Sequence, residues 1–345
     1  MKLSIVVPVY NMAAEGKLEY CIKSLLNQTL SNYEIIAVDD ASTDDSLQIL
    51  RKLEKENTSK LKVLASPVNH HQGGARNLGI KASQAEFIGM MDSDDWAAPD
   101  MFEKLMKCAE QTGADVVGCD YSLVQEHTMN IGRVIHVNNW EQTGKLTKEK
   151  KCQLILQPGS MVVKIYRREI IVNNDLWFPE DIFYEDNCMS PIWLLHCTHF
   201  ERVEEPLYYY YQDETSTVHH ISQKKLYDRM AAMELLVKKG MEMGFYEDYK
   251  SELEYKFAEL YLVNTLFSLM GSNTKGKFRM IKEIRNGILN KFPVFYKNTY
   301  YQKRIGQEEQ KLISLLIKSP TLFFAYYQLL WTYRRMKRVQ GGTRK

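Results

Sequence analysis

Asp92, Ser93, Asp94 and Asp95 follow the apolar run Phe87-Ile88-Gly89-Met90-Met91 without a break, which predicts a buried strand ending in three carboxylates. Carboxylates crowded at a strand end repel one another and are costly to hold ionised unless a cation or water compensates them. A divalent metal would do so. Oxygen ligands with no His or Cys in the cluster favour a hard ion, Mg2+ or Mn2+, which keeps open positions for phosphate oxygens. The plain alternative is a solvated turn in which Asp caps the next helix.

Three other segments bear on that choice. In Gln72-Gly73-Gly74-Ala75-Arg76-Asn77-Leu78-Gly79, paired glycines at a predicted helix start let backbone N–H groups reach an anion, and Arg76 would neutralise a diphosphate; a glycine-permitted turn with a surface Arg is the alternative. The spacing is neither G-x-G-x-x-G nor a Walker loop, so dinucleotide binding and ATP hydrolysis lose support. Asp39-Asp40 closes another apolar run. Ser42, Thr43 and Asp44 already suffice to cap the following helix, which leaves both carboxylates for a base N–H or ribose hydroxyls. Glu185-Asp186 stands between Phe183-Tyr184 and the apolar residues 189–195, a setting that raises a carboxyl pKa and suits a general base; a surface helix cap is the alternative.

The elements that must position these groups alternate over the first 120 residues. Short apolar runs at 3–8, 34–38, 61–64, 87–91 and 115–118 predict strands, and residues 18–26, 45–53, 74–82 and 101–110 carry helical spacing. Such alternation predicts an α/β fold with a mainly parallel sheet, whose ligands bind beyond the carboxyl ends of the strands. Residues 130–159 give no clear pattern. Beyond them a strand is expected at 161–166, a helix at 187–195 and two short runs at 200–203 and 207–211. From residue 222 onward the pattern is helical, as in 230–243 and 253–270, and places a domain boundary near residue 220, dividing 1–220 from 221–345.

Five blocks together resemble glycosyltransferase family 2. They are Ser4-Ile5-Val6-Val7-Pro8-Val9-Tyr10-Asn11, Val38-Asp39-Asp40-Ala41-Ser42-Thr43-Asp44, Gly73-Gly74-Ala75-Arg76-Asn77-Leu78-Gly79, Met91-Asp92-Ser93-Asp94-Asp95 and Tyr184-Glu185-Asp186-Asn187, in the family's order and approximate spacing. The resemblance covers about the first 220 residues. It implies a GT-A fold, a UDP-sugar donor, Mn2+ or Mg2+, and transfer with inversion to a glycan or lipid-linked acceptor in the synthesis of a cell-surface polysaccharide. Pro8, Tyr10 and Asp40 then resemble the uracil pocket, with Asp39 an adjacent or alternative contact. Gly74 and Arg76 would face the nucleotide, Asp92 and Ser93 the donor, and Asp94 the metal. Asp186 resembles the general base, with Glu185 beside it. One departure stands out: where many relatives carry Arg in a Y-R-x-x-x-x-S setting, this chain has Tyr211, within Tyr210-Tyr211-Gln212-Asp213-Glu214-Thr215-Ser216. His219 and His220 are candidates for a further metal ligand, with exposed loop histidines as the alternative. A nucleotidyltransferase on a related fold would want a Gly-rich basic loop after the first strand, and Val9-Tyr10-Asn11-Met12 is not one. A non-catalytic sugar-nucleotide-binding or scaffold protein is the remaining alternative, disfavoured by the intact Asp92, Asp94 and Asp186.

The net charge of +2 conceals an asymmetry: residues 221–345 hold 24 Lys/Arg against 11 Asp/Glu. Leu322-Phe323-Phe324-Ala325-Tyr326-Tyr327-Gln328-Leu329-Leu330-Trp331 runs into Arg334-Arg335-Met336-Lys337-Arg338, a pairing of aromatics and cations suited to peripheral contact with an anionic membrane, with core packing as the rival. No nucleic-acid motif accompanies it. Six scattered cysteines without a C-x-x-C pair, and no signal peptide before the first strand, predict a cytoplasmic protein, at the inner face of the plasma membrane if the tail engages it. The helical last third also offers surface for a homodimer.

Overall fold

The computed structural model describes residues 1–212 and 221–342, of which 335–342 by backbone alone. The chain divides into two compact units, Met1–His220 and Ile221–Lys345.

In the first unit the strands are β1 (Leu3–Val9), β2 (Tyr33–Asp39), β3 (Leu61–Ala65), β4 (Phe87–Met90), β5 (Trp96–Ala97), β6 (Val116–Val124), β7 (Arg133–Ile135), β8 (Gly144–Lys145), β9 (Lys164–Arg167) and β10 (His199–Tyr211). Between them lie α1 (Lys17–Leu26), α2 (Ser46–Glu56), α3 (His71–Ala82), α4 (Met101–Thr112), α5 (Lys148–Leu156), α6 (Arg168–Asn173) and α7 (Glu185–His196). One sheet runs in the order β3-β2-β1-β4-β9-β6-β10-β5, with β7 paired to β6 and β8 to β10.

β3, β2, β1 and β4 are parallel, as the alternation predicts. Every residue of β1 is buried, because a central parallel strand is covered on both faces and therefore reads as a continuous apolar run. The second half of the sheet is mixed: β9 is antiparallel to both β4 and β6, while β6 and β10 are parallel. A short strand has the same alternation in either direction, so its polarity is absent from the sequence pattern. The runs expected at 200–203 and 207–211 form one strand, β10, whose register against β6 shifts on either side of Pro206. Proline has no N–H for the ladder, and a bulge accommodates it. The unassigned middle section holds β7, β8 and α5.

α3 lies close against the sheet. Ala75 packs with Ile36 and Val38 of β2, and Gly79 lets the helix approach β1, since a Cβ there would stand 2.4 Å from Val6 Cγ1. At the near end of the strands Ser83 Oγ and Ser4 Oγ are hydrogen-bonded at 2.6 Å.

In the second unit the helices are α8 (Gln223–Glu242), α9 (Lys250–Phe257), α10 (Thr265–Gly271), α11 (Lys277–Lys291), α12 (Thr299–Arg304), α13 (Gln307–Lys318) and α14 (Pro320–Gly342). The single helix expected over 253–270 is interrupted by a π-helical turn at Ala258–Asn264. There Thr265 Oγ1 donates to the Leu260 carbonyl at 2.7 Å, and Gly287 of α11 admits the Tyr261 ring, which a Cβ would meet at 1.9 Å from Oη. Among the described residues no helix is long and apolar enough to cross a membrane.

Gly79→Ala should therefore force α3 and β1 apart. Overpacking of this kind costs about 1–3 kcal/mol, expected as a lowered urea midpoint for the unfolding of the first unit.

Candidate active site

The carboxyl ends of β1, β2 and β4 meet the first turns of α3 and α7 around an open cavity of about 210 Å³. Four non-glycine residues at these junctions take left-handed backbone conformations: Asn11 (φ 53), Ala41 (φ 58), His71 (φ 58) and Tyr184 (φ 66). Such conformations are uncommon outside glycine and cluster where surrounding contacts hold a functional shape.

Of the residues expected at the site, Pro8, Tyr10, Asp40, Ser93, Asp94 and Glu185 line the cavity, together with Asn69, His71, Ile182 and Phe183. Tyr10 is 49% exposed, so its ring is open to a ligand. The Asp40 carboxylate accepts the His70 backbone N–H at 2.9 and 3.1 Å, and burial raises its pKa against that bond. Asp39 turns to a local task. Its Oδ2 accepts the Ser42 N–H at 3.1 Å, bracing the turn at Ala41, while Oδ1 is buried without a hydrogen-bond partner.

Gly74 and Arg76 take positions other than those expected. The helix starts three residues earlier than the glycine pattern predicts, so the Gly74 N–H is already spent on the His70 carbonyl at 3.3 Å. Gly73 serves close packing instead, since a Cβ would lie 2.3 Å from the Pro179 carbonyl oxygen. Arg76 is 3% exposed. Its guanidinium donates to Glu185 Oε1 at 2.5 Å and to Asp92 Oδ1 at 3.0 Å, tying α3 to the first turn of α7 and to the end of β4. An arginine in the second turn of a helix that lies flat on the sheet points into the protein, where the buried Glu185 and the partly buried Asp92 are its partners.

The carboxylate cluster is thereby divided. Asp92 is held by Arg76. Asp94 lines the cavity. Asp95 is buried and accepts the Tyr208 hydroxyl and the Tyr211 N–H at 2.8 Å, so it anchors β10. Burial, with Asp94 and Asp92 adding to it, pushes its carboxyl well above the usual range.

Glu185 is almost wholly enclosed. Burial lifts its pKa to about 7, outweighing Arg76. Asp186 is partly exposed in the same turn, accepts the Asn187 N–H at 2.8 Å, and also has a raised pKa, from burial first, with Arg76 opposing it. His219 and His220 lie outside the described residues.

A family model described as Glycosyl transferase family 2 matches residues 4–173. A protein of Bacillus subtilis (strain 168) named as glycosyltransferase EpsH is 30% identical over 303 residues, 86% of this chain and 85% of that one. The chain belongs to glycosyltransferase family 2. It is also similar to TarS of Staphylococcus aureus (strain Mu50 / ATCC 700699), a poly(ribitol-phosphate) beta-N-acetylglucosaminyltransferase. That match is 27% identical over 68% of this chain and 41% of the longer TarS. The structure of TarS 1-349 with UDP-GlcNAc superposes with a TM-score of 0.58 at 20% identity, covering 88% and 92% of the two chains. The mannosyltransferase PcManGT of Pyrobaculum calidifontis, solved with GDP-Man and Mn2+, gives 0.51 at 14% identity over 88% and 84%. The fold is GT-A, and the protein is a glycosyltransferase.

Two features of this glycosyltransferase site escape a reading of the sequence. Asn77 brackets the Phe178 backbone, donating to its carbonyl and accepting its N–H, both at 3.0 Å, and so docks the segment before α7 onto α3. Phe183 packs on His71 with ring centroids 4.8 Å apart, and both line the cavity. Asn77 lies within the Gly-rich block, but neither its direction nor its partner 101 residues away leaves a local pattern.

Replacing Arg76 by Met leaves Glu185 and Asp92 without their cation, and breaking a buried pair costs about 3–5 kcal/mol. The cost should depend on pH. A carboxyl whose folded pKa is raised contributes stability below its unfolded value of about 4.3, which is lost as pH climbs through the folded value, about 7 for Glu185. Without Arg76 that value rises further, so the variant should lose more stability than the wild type between pH 6 and pH 8, as read from urea unfolding at each pH.

Proposed function

We propose that this glycosyltransferase moves a sugar from a UDP-sugar to a hydroxyl of a glycan or lipid-linked acceptor, in a single inverting displacement, during synthesis of a cell-surface polysaccharide. The observation that carries this reading is the joint lining of one cavity by Pro8, Tyr10 and Asp40 and by Ser93, Asp94 and Glu185. TarS, solved with UDP-GlcNAc, and its poly(ribitol-phosphate) acceptor support the donor and acceptor classes.

In this reading Tyr10 stacks on the uracil, and Asp40, pinned by the His70 N–H, accepts the base N–H. Among the described residues no three His, Cys, Asp or Glu side chains form a metal cage. The donor set at Asp94 is carboxylate oxygen with the Ser93 hydroxyl alongside, which suits a hard ion that takes the rest of its shell from a diphosphate and water. Asp94 would hold Mn2+ or Mg2+, which when bound neutralises charge on the diphosphate.

Asp186 takes the proton of the acceptor hydroxyl as that oxygen bonds to the anomeric carbon. The bond from that carbon to the diphosphate oxygen breaks, the electron pair leaves with UDP, and the configuration inverts. Arg76 balances the charge of Glu185 and Asp92 around the base. No enzyme nucleophile is required.

A thermal-shift panel of UDP- and GDP-sugars, with and without Mn2+, tests the donor class, because a ligand bound only by the folded state raises its stability. A shift with GDP-sugars alone overturns the UDP assignment. Asp186→Asn should lower UDP release in the presence of acceptor by about 10²–10⁴-fold while the UDP-sugar shift persists. Activity should fall on the acid side with a midpoint above the ordinary Asp range, since the base must be deprotonated and burial raises its pKa. Arg76→Gln removes the cation that opposes burial at Asp186 and should move that midpoint up in a pH profile of kcat/KM. Asp94→Ala should abolish the Mn2+-dependent part of the shift.

A further inference from the structure

Among the described residues α14 packs on its unit through one face and leaves a second face exposed. Phe323 is fully buried, the Tyr327 ring lies 6.2 Å from Phe267, and Phe324 meets Phe278 at 5.8 Å. Leu322, Tyr326, Leu329 and Tyr333 follow the i, i+4, i+7, i+11 spacing of one stripe, within an arc of about 60° and over about 17 Å. All four are 52–71% exposed. A helix that served only to cover its unit's core would carry polar side chains there.

Charge accompanies the stripe. Residues 311–345 hold eight Lys/Arg and no Asp or Glu, and Arg334-Arg335-Met336-Lys337-Arg338 begins where the stripe ends. Arg334 pairs with Glu308 of α13. We propose that α14 lies in the headgroup layer of an anionic bilayer, its Leu and Tyr stripe set among the acyl chains and the cations after it on lipid phosphates. An anionic polymer or a nucleic acid would engage the cations and leave four large side chains in water. A second copy of the same segment would bring like charges together. Tyr326 within the stripe and Tyr333 at its end suit the interface, where a ring is buried and its hydroxyl stays hydrated. The helix is not apolar enough to cross, so it lies on the surface. This inference goes beyond the transfer reaction and depends on neither donor nor acceptor.

Flotation of the full chain with vesicles of phosphatidylcholine, alone or mixed with phosphatidylglycerol, tests it without any sugar nucleotide. Binding to the mixed vesicles at low salt should exceed that to phosphatidylcholine by about ten-fold or more and weaken at high salt. Leu322→Gln with Leu329→Gln, both exposed, should weaken binding by about ten-fold with an unchanged unfolding midpoint. Arg335→Gln with Arg338→Gln should do the same and flatten the salt dependence. Absence of binding to the mixed vesicles, equal binding by the stripe variant, or a lipid-free dimer that the stripe variant abolishes would each overturn the proposal. Failure of UDP-sugar binding would leave the flotation result untouched.

Discussion

Burying the Arg76 guanidinium removes a full positive charge from water, and the site is organised by what compensates it. Its two partners, Asp92 and Glu185, lie 16 and 109 residues away in the chain. Glu185 buried alone would be driven to protonate, and the arginine alone would be a severe cost. Together they fix three segments: the second turn of α3, the end of β4 and the start of α7. Asp186 is next to Glu185 in sequence and Asp94 stands two residues after Asp92, so the contact constrains where both lie. The close approach of α3 that makes the contact reachable depends on the missing side chains at Gly73 and Gly79.

The same electrostatic logic separates the crowded acids. Three carboxylates in four residues cannot share one environment while ionised. Asp92 faces a cation, Asp95 is enclosed and hydrogen-bonded by Tyr208 and Tyr211, and Asp94 remains at the cavity. Asp95 thus joins the site to β10, the strand that leads toward residue 212. Tyr211 gives its backbone N–H to this carboxylate, and the Lys17 amine of α1 stands 5.4 Å from its ring centroid.

The second unit obeys different constraints. Its helices bury a continuous apolar core, as at Leu236, Leu253, Leu262 and Ile284, and its surface carries the chain's excess of positive charge. α14 combines the two properties in one element, with one edge in the core and another edge apolar and exposed. Helical periodicity in the sequence shows both edges as one long aromatic run, because it registers spacing without showing which neighbours exist to cover it.

Sequence by itself determined the alternation of strands and helices, the parallel strands of the first half, and the set of chemistry-bearing residues, since buried strands, caps and glycine turns are local in origin. That Pro8, Tyr10, Asp40 and Asp94 gather at one cavity was legible because ligands in α/β sheets bind beyond the strand ends. The roles of Arg76, Asn77, Asp95 and Glu185 were decided by the tertiary structure alone. Each depends on a partner distant in the chain, and a charged side chain reads the same in sequence whether it meets a ligand, an opposite charge or water. The antiparallel course of β9 and the uncovered edge of α14 belong with them: strand direction and the presence of a neighbour are properties of packing, and no local pattern of residues encodes them.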